Sequence, residues 1–157
     1  MQYLDTRDLY KRQCELRKEK EALEQDLEEK REELAAAKQE YQDAREEDKT
    51  EENEDAMDEA QEDFEAAQAD LATWIEENQE ELDELNGLEK EVSEWMHGNT
   101  MIPESEWVSY VQDLADDLGA VGDSHSWLVI DWEATADGVR MDYHEVKYQG
   151  VTYLVRD

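Results

Sequence analysis

Residues 9–44 read LYKRQCELRKEKEALEQDLEEKREELAAAKQEYQDA, and their spacing decides the fold. Leu9, Leu16 and Leu23 recur every seven residues, and Ala37 and Ala44 continue the row with Lys30 as its charged member. Leu27, Leu34 and Tyr41 form a companion row offset by four. Apolar residues repeating every 3.5 positions place one stripe along a helix, the seam of a coiled coil. A second seam follows in Met57, Phe64, Leu71, Asn78, Leu85 and Val92, accompanied by Ala60, Ala67, Trp74, Glu81, Leu88 and Trp95. Leu82 sits one place past Glu81, so the register wavers there. Asn86-Gly87 is a second weak point, because glycine costs roughly 1 kcal/mol inside a helix. Gly98-Asn99 reads as the C-cap.

Between the seams, Glu46 to Asp55 reads EEDKTEENED and has no large apolar residue. One long helix fits this pattern, as in a parallel dimer of rods, and so does a hairpin. Electrostatics favour the hairpin. Arg7, Lys11, Arg12, Arg17, Lys18 and Lys20 crowd the start of the first helix, while Glu76, Glu77, Glu80, Glu81, Asp83 and Glu84 lie near the end of the second. Antiparallel pairing with a turn near 46–55 brings those ends together, and charge sets orientation even where each pair contributes little.

The last third changes character. Pro103 suits a first helical turn, and Trp107, Val108, Val111, Leu114, Ala115 and Leu118 follow helical spacing up to Gly119. After a loop over Gly122–His125 comes the apolar run Trp127–Ile130. Asp131 then caps a helix reaching about Met141, with Trp132, Thr135, Ala136 and Val139 inward. Val146, Tyr148, Val151, Tyr153 and Val155 flank Gln149-Gly150, the pattern of a tight β-hairpin. Trp74 and Trp95 are expected in the seam, and Trp107, Trp127 and Trp132 in the terminal core. The expected fold is mostly α. Residues 1–98 form a long antiparallel coiled-coil hairpin, and residues 99–157 form a small α+β domain.

Charge is the strongest functional signal. The chain carries 47 acidic against 15 basic residues, a net charge of −32 over 157 residues. The segment Glu46–Gly98 holds 22 acids and 2 bases, and no base occurs between Asp55 and Glu89. Coiled-coil exteriors ordinarily mix signs, because Glu–Lys pairs at helical spacing are favourable. An unmixed run needs another reason. Twenty net negative charges over a helical length of roughly 80 Å amount to about one per 4 Å. One DNA strand carries a phosphate every ~3.4 Å, and a two-helix hairpin is about as thick as a duplex. The candidate partner-binding residues are Glu51, Glu52, Glu54, Asp55, Asp58, Glu59, Glu62, Asp63, Glu65, Asp70, Glu76, Glu77, Glu80 and Glu84.

No catalytic constellation is legible. His97, His125 and His144 are far apart, and there is no P-loop, GxGxxG, HExxH or CxxC motif. The acid runs lack the spacing of a calcium loop, so no metal and no cofactor are expected. Cys14 cannot form an internal disulfide, which fits a reducing host-cell cytoplasm. No apolar stretch approaches ~18 residues, and the acidic surface would be repelled by anionic lipid and nucleic acid alike. The expected partner is a cationic protein, and the seams also permit a homodimer.

The segment WLVIDWEATADGVRMDYHEVKYQGVTYLVR, residues 127–156, resembles the C-terminal stretch of ArdA-type antirestriction proteins of phages and plasmids. The residues carrying the resemblance are Ile130-Asp131-Trp132-Glu133, Ala136-Asp137, Tyr153, Val155 and Arg156. Ile102–Leu118 also looks like segments of phage-encoded acidic proteins. The long coiled coil is not part of the ArdA pattern. The resemblance implies acidic mimicry of DNA directed at restriction enzymes. The expected function is therefore a non-enzymatic DNA-mimic inhibitor of a restriction, nuclease or other defence enzyme. The alternative is a structural coiled-coil adaptor whose acid only solvates it.

Overall fold

The computed structural model describes residues 2–47, 51–120 and 127–157. In chain order these form β1 (Leu4–Asp5), α1 (Thr6–Glu46), α2 (Glu51–Glu91), β2 (Thr100–Pro103), a 3-10 turn (Glu104–Glu106), α3 (Trp107–Asp117), α4 (Trp132–Val139), a second 3-10 turn (Arg140–Asp142), β3 (Tyr143–Tyr148) and β4 (Val151–Arg156). The two long helices pack together as the hairpin that the seams predict. Helix α2 starts within the acidic connection, because Glu51, Glu52 and Glu54 lie in its first turn, where the helix dipole favours negative charge. The connection expected over 46–55 overlaps the ends of both helices, and Asp48–Thr50 lie outside the described residues.

The chain divides into two compact units, Cys14–Leu82 and Met1–Gln13 with Asp83–Asp157. Within the first, the antiparallel arm, Leu16, Leu34, Ala67, Trp74 and Leu82 are buried, with Leu23, Leu27, Tyr41, Phe64 and Leu71 half-buried beside them. Leu82 takes the inward place where the register wavers. Lys20 and Lys30 occupy seam positions as amphipathic members. Lys20 Nζ donates to Gln79 Oε1 at 2.8 Å, and Trp74 Nε1 donates to Glu19 Oε2 at 3.1 Å. Long basic side chains can bury their stems in this way while their heads reach a polar partner.

The second unit contains the beginning of α1, the end of α2 and all the strands. Its sheet has the order β1-β2-β4-β3, antiparallel throughout, with Leu4 opposite Met101 and Met101 opposite Val155. The predicted hairpin is β3–β4. Gln149 and Gly150 both have positive φ, 48° and 75°, as a two-residue turn of primed type requires. Ile102, Trp107, Val111, Ala136 and Leu154 form the core beneath Tyr110, Val139 and Tyr143. Asp131 Oδ1 accepts from the Ala134 backbone N–H, capping α4. Gly119, at φ 64°, closes α3: its N–H reaches the Asp116 carbonyl, and the Ala120 N–H reaches that of Ala115. Those two bonds make a Schellman motif.

A buried polar network joins the helix ends to the sheet. Gln13 is fully buried on the inward face of α1. Its Oε1 accepts from Trp95 Nε1 at 3.0 Å, and its Nε2 donates to Asn86 Oδ1 and Glu89 Oε2, both at 3.0 Å. Thr6 is equally buried. Its Oγ1 accepts from the Asn99 backbone N–H at 2.7 Å, while its own N–H donates to the Asn99 carbonyl. All of these bonds fall within the second compact unit.

Several expectations change. Helix α2 ends at Glu91, well before the expected Gly98-Asn99 cap, and the left-handed residue of the following turn is Glu94, at φ 58°. Gly98 still needs to be glycine. Its φ is 104°, and a Cβ there would come within 2.7 Å of Arg7 Nε. Pro103 ends β2 and is also the N-cap of the 3-10 turn that leads into α3. Trp127 and Leu118 are not core, being 77% and 74% exposed, and Thr135 is exposed with its hydroxyl on the Asp131 carbonyl. Trp132 is half-buried. The Gly122–His125 loop lies outside the described residues.

Candidate acidic interface

Helical geometry sets where the acids of α2 can point. Its inward row, Met57, Ala60, Phe64, Ala67, Leu71 and Trp74, advances in steps of three and four. Glu51, Asp55, Asp58, Glu62 and Glu65 advance with the same steps half a turn away, and Glu76 and Glu80 return to that line. At 3.6 residues per turn these acids form a ridge opposite the seam. Glu52, Glu54, Glu59, Asp63, Asp70 and Glu77 flank it. All thirteen of these residues are exposed. The ridge is interrupted between Glu65 and Glu76, where Ala69 and Ala72 occupy the outward positions and Asp70 is the one acid.

Glu84 differs from the rest. It belongs to the second compact unit, is half-buried, and its Oε2 accepts the Gln149 backbone N–H at 3.1 Å. It anchors the β3–β4 turn.

The cations of α1 are partly engaged with acids of the same helix. Lys11 meets Asp8 at 3.1 Å, Lys30 meets Glu33 at 2.9 Å and Arg31 meets Glu28 at 3.5 Å, each at i,i+3 spacing. The hydrogen bond to Glu33 raises the Lys30 pKa above the usual lysine value, and the nearby charges of Asp63 and Asp26 add to the rise. A row of exposed carboxylates with an apolar seam behind it can present spaced negative charge to a cationic surface. Among the described residues, no group of three or more His, Cys, Asp and Glu side chains is arranged to hold a metal ion. His144 Nδ1 lies 2.6 Å from Asp157 Oδ1, His97 is exposed, and His125 is outside the described residues. No helix among the described residues is long and apolar enough to cross a membrane.

Two features escaped the sequence reading. Gln13 extends the companion row of α1 backwards, but a glutamine gives no apolar signal. The aromatic group of Tyr3, Trp107, Tyr110 and Tyr143, with ring centroids 4.7–6.5 Å apart, joins residues from three separate segments. No protein-family model, no curated protein and no solved structure matches this chain.

Proposed function

We propose that the chain is a non-enzymatic inhibitor of the phage or mobile-element type, whose α2 ridge mimics DNA and occupies the phosphate-binding groove of a restriction, nuclease or other host defence enzyme. The observation carrying this reading is the exposed, unmixed acid of the arm. From Glu51 to Leu82 the helix holds 14 acids and no base. At 1.5 Å per residue that stretch is about 48 Å long, so its acids average one per ~3.4 Å along the axis, comparable with the phosphates of a DNA strand, with Asp70 alone between Glu65 and Glu76. The resemblance of residues 127–156 to ArdA-type proteins supports the same reading.

The test uses six acids: Asp58, Glu62, Glu65, Asp70, Glu76 and Glu80 are changed together to lysine. All six are exposed and off the seam, so helicity and oligomeric state should be retained. The wild-type chain should compete with a duplex oligonucleotide for its target, and binding should weaken steeply with salt. The six-fold variant should lose competition, whereas single reversals should each cost about 1 kcal/mol or less. Equal affinity and an equal salt slope in the six-fold variant would overturn mimicry and favour an adaptor.

A further inference from the structure

Gly87 has no backbone reason to be glycine. It lies inside α2, its φ is not positive, and a Cβ built there would meet nothing within 4 Å. Glycine weakens a helix interior relative to alanine, so a residue of lower helix propensity stands where a larger one would fit. The space beside it is a groove of about 440 Å³ lined by Glu84, Gly87, Leu88, Glu91, Glu145, Val146 and Lys147. Leu88 and Val146 are buried side chains and give the floor an apolar character. Glu84, Glu91 and Glu145 supply three carboxylates against the ammonium of Lys147, and Glu145 is also paired with the Arg140 guanidinium outside the lining. The groove lies wholly within the second compact unit.

We propose that this groove receives the side chain of an arginine projecting from a partner protein. The aliphatic stem would lie on Leu88 and Val146, with the guanidinium among Glu84, Glu91 and Glu145. The occupant follows from the lining. An apolar floor with an anionic rim matches a side chain that is apolar along its stem and cationic at its head. A small metal ion would need converging carboxylates, and no such set occurs among the described residues. A planar guanidinium has five donors and can reach carboxylates that are spread apart, which a compact ammonium cannot. Each rim acid keeps acceptor capacity. Glu84 uses one oxygen on the Gln149 N–H, Glu145 pairs with Arg140, and Glu91 is exposed. Lys147 is exposed and on a flexible stem, so its ammonium can move away from an incoming charge. Gly87 keeps the mouth of the groove open.

The site goes beyond the arm reading and is independent of it. The test titrates the full chain with N-acetyl-arginine methylamide at 150 mM NaCl, read by amide chemical shifts, with the neutral isostere N-acetyl-citrulline methylamide as the control. Saturable shifts at Gly87, Leu88 and Val146 are expected, at least ten-fold weaker with citrulline. Gly87→Met should fill the groove and lower the affinity at least ten-fold while melting no lower than the wild type. If that variant misfolds, Glu91→Gln takes its place and should weaken binding at least three-fold. The six-fold lysine arm variant should bind the probe as the wild type does, so the two readings fail separately. Any one of three results would overturn the site: no saturable shift in the wild type, equal binding of citrulline, or undiminished binding by a folded Gly87→Met chain.

Discussion

Gln13 is the residue that ties the start of α1 to the end of α2 and the turn after it. Its one acceptor takes the Trp95 indole N–H, and its amide donates twice, so Gln13→Leu keeps the size but removes every polar contact. Asn86 and Glu89 are half-buried and can turn towards water, but the buried Trp95 cannot. The expected loss is about 1–3 kcal/mol, the cost of one orphaned buried donor, measured by urea denaturation. A loss below about 0.5 kcal/mol would show that the network is incidental. Tyr143 supplies the residue-scale pH dependence. Burial first, then its hydrogen bond with Tyr110, pushes its pKa up to about 12 from 10.0. The folded state therefore holds the phenol proton more tightly than the unfolded state. The resulting stability is complete below pH 10 and is lost as pH rises from 10 through 12. The melting temperature should fall across that window, and Tyr143→Phe should flatten part of the fall. An identical alkaline profile in the variant would refute this assignment.

The long helices are elements that can be shortened by rule. Both seams run in heptads, and Lys20 opposite Gln79 fixes their antiparallel alignment. Deleting Lys30–Ala36 together with Asp63–Ala69 removes one heptad from each helix and keeps both phases. The product should keep the helicity and the oligomeric state of the wild type. Deleting either heptad alone leaves seven residues of one helix unopposed. It should cost about 2 kcal/mol more than the paired deletion, or ~4–8 °C in Tm, measured by calorimetry. If the single and paired deletions melt alike, the seam does not set the pairing. The heptads made these elements legible from sequence, since leucine spacing survives polar interruptions. Helix α4 was legible through Asp131, and β3–β4 through Gln149-Gly150. The two residues of β1 carry no period, so Leu4-Asp5 could not be read as a strand. Trp127 misled because apolarity alone was taken for burial. The exposed ridge was legible because it lies half a turn from an apolar row. The Gly87 groove was not, because its lining joins residues of α2 and β3 that are distant in sequence.

For the molecule as a whole, net charge dominates. A chain at −32 repels itself when folded compactly. The Debye length falls from ~30 Å at 0.01 M salt to ~10 Å at 0.1 M, so modest NaCl should relieve much of that repulsion. The melting temperature should rise by several degrees between 10 and 200 mM NaCl and then level off, and an equal osmolarity of neutral solute should not reproduce the rise. A flat profile over that range would mean the acids are spaced widely enough not to burden the fold. The sheet has a consequence for the order of assembly. During synthesis Leu4 and Asp5 emerge long before their partners Met101 and Thr100, and β4, on the other side of β2, emerges last. Bringing such distant segments together across an open chain is slow. Closure of the α1–α2 hairpin, by contrast, can grow from contacts between segments close in sequence. Once zipped, it delivers the first strand to the third quarter of the chain, so the acidic arm also serves as the scaffold on which the nascent polypeptide completes its sheet.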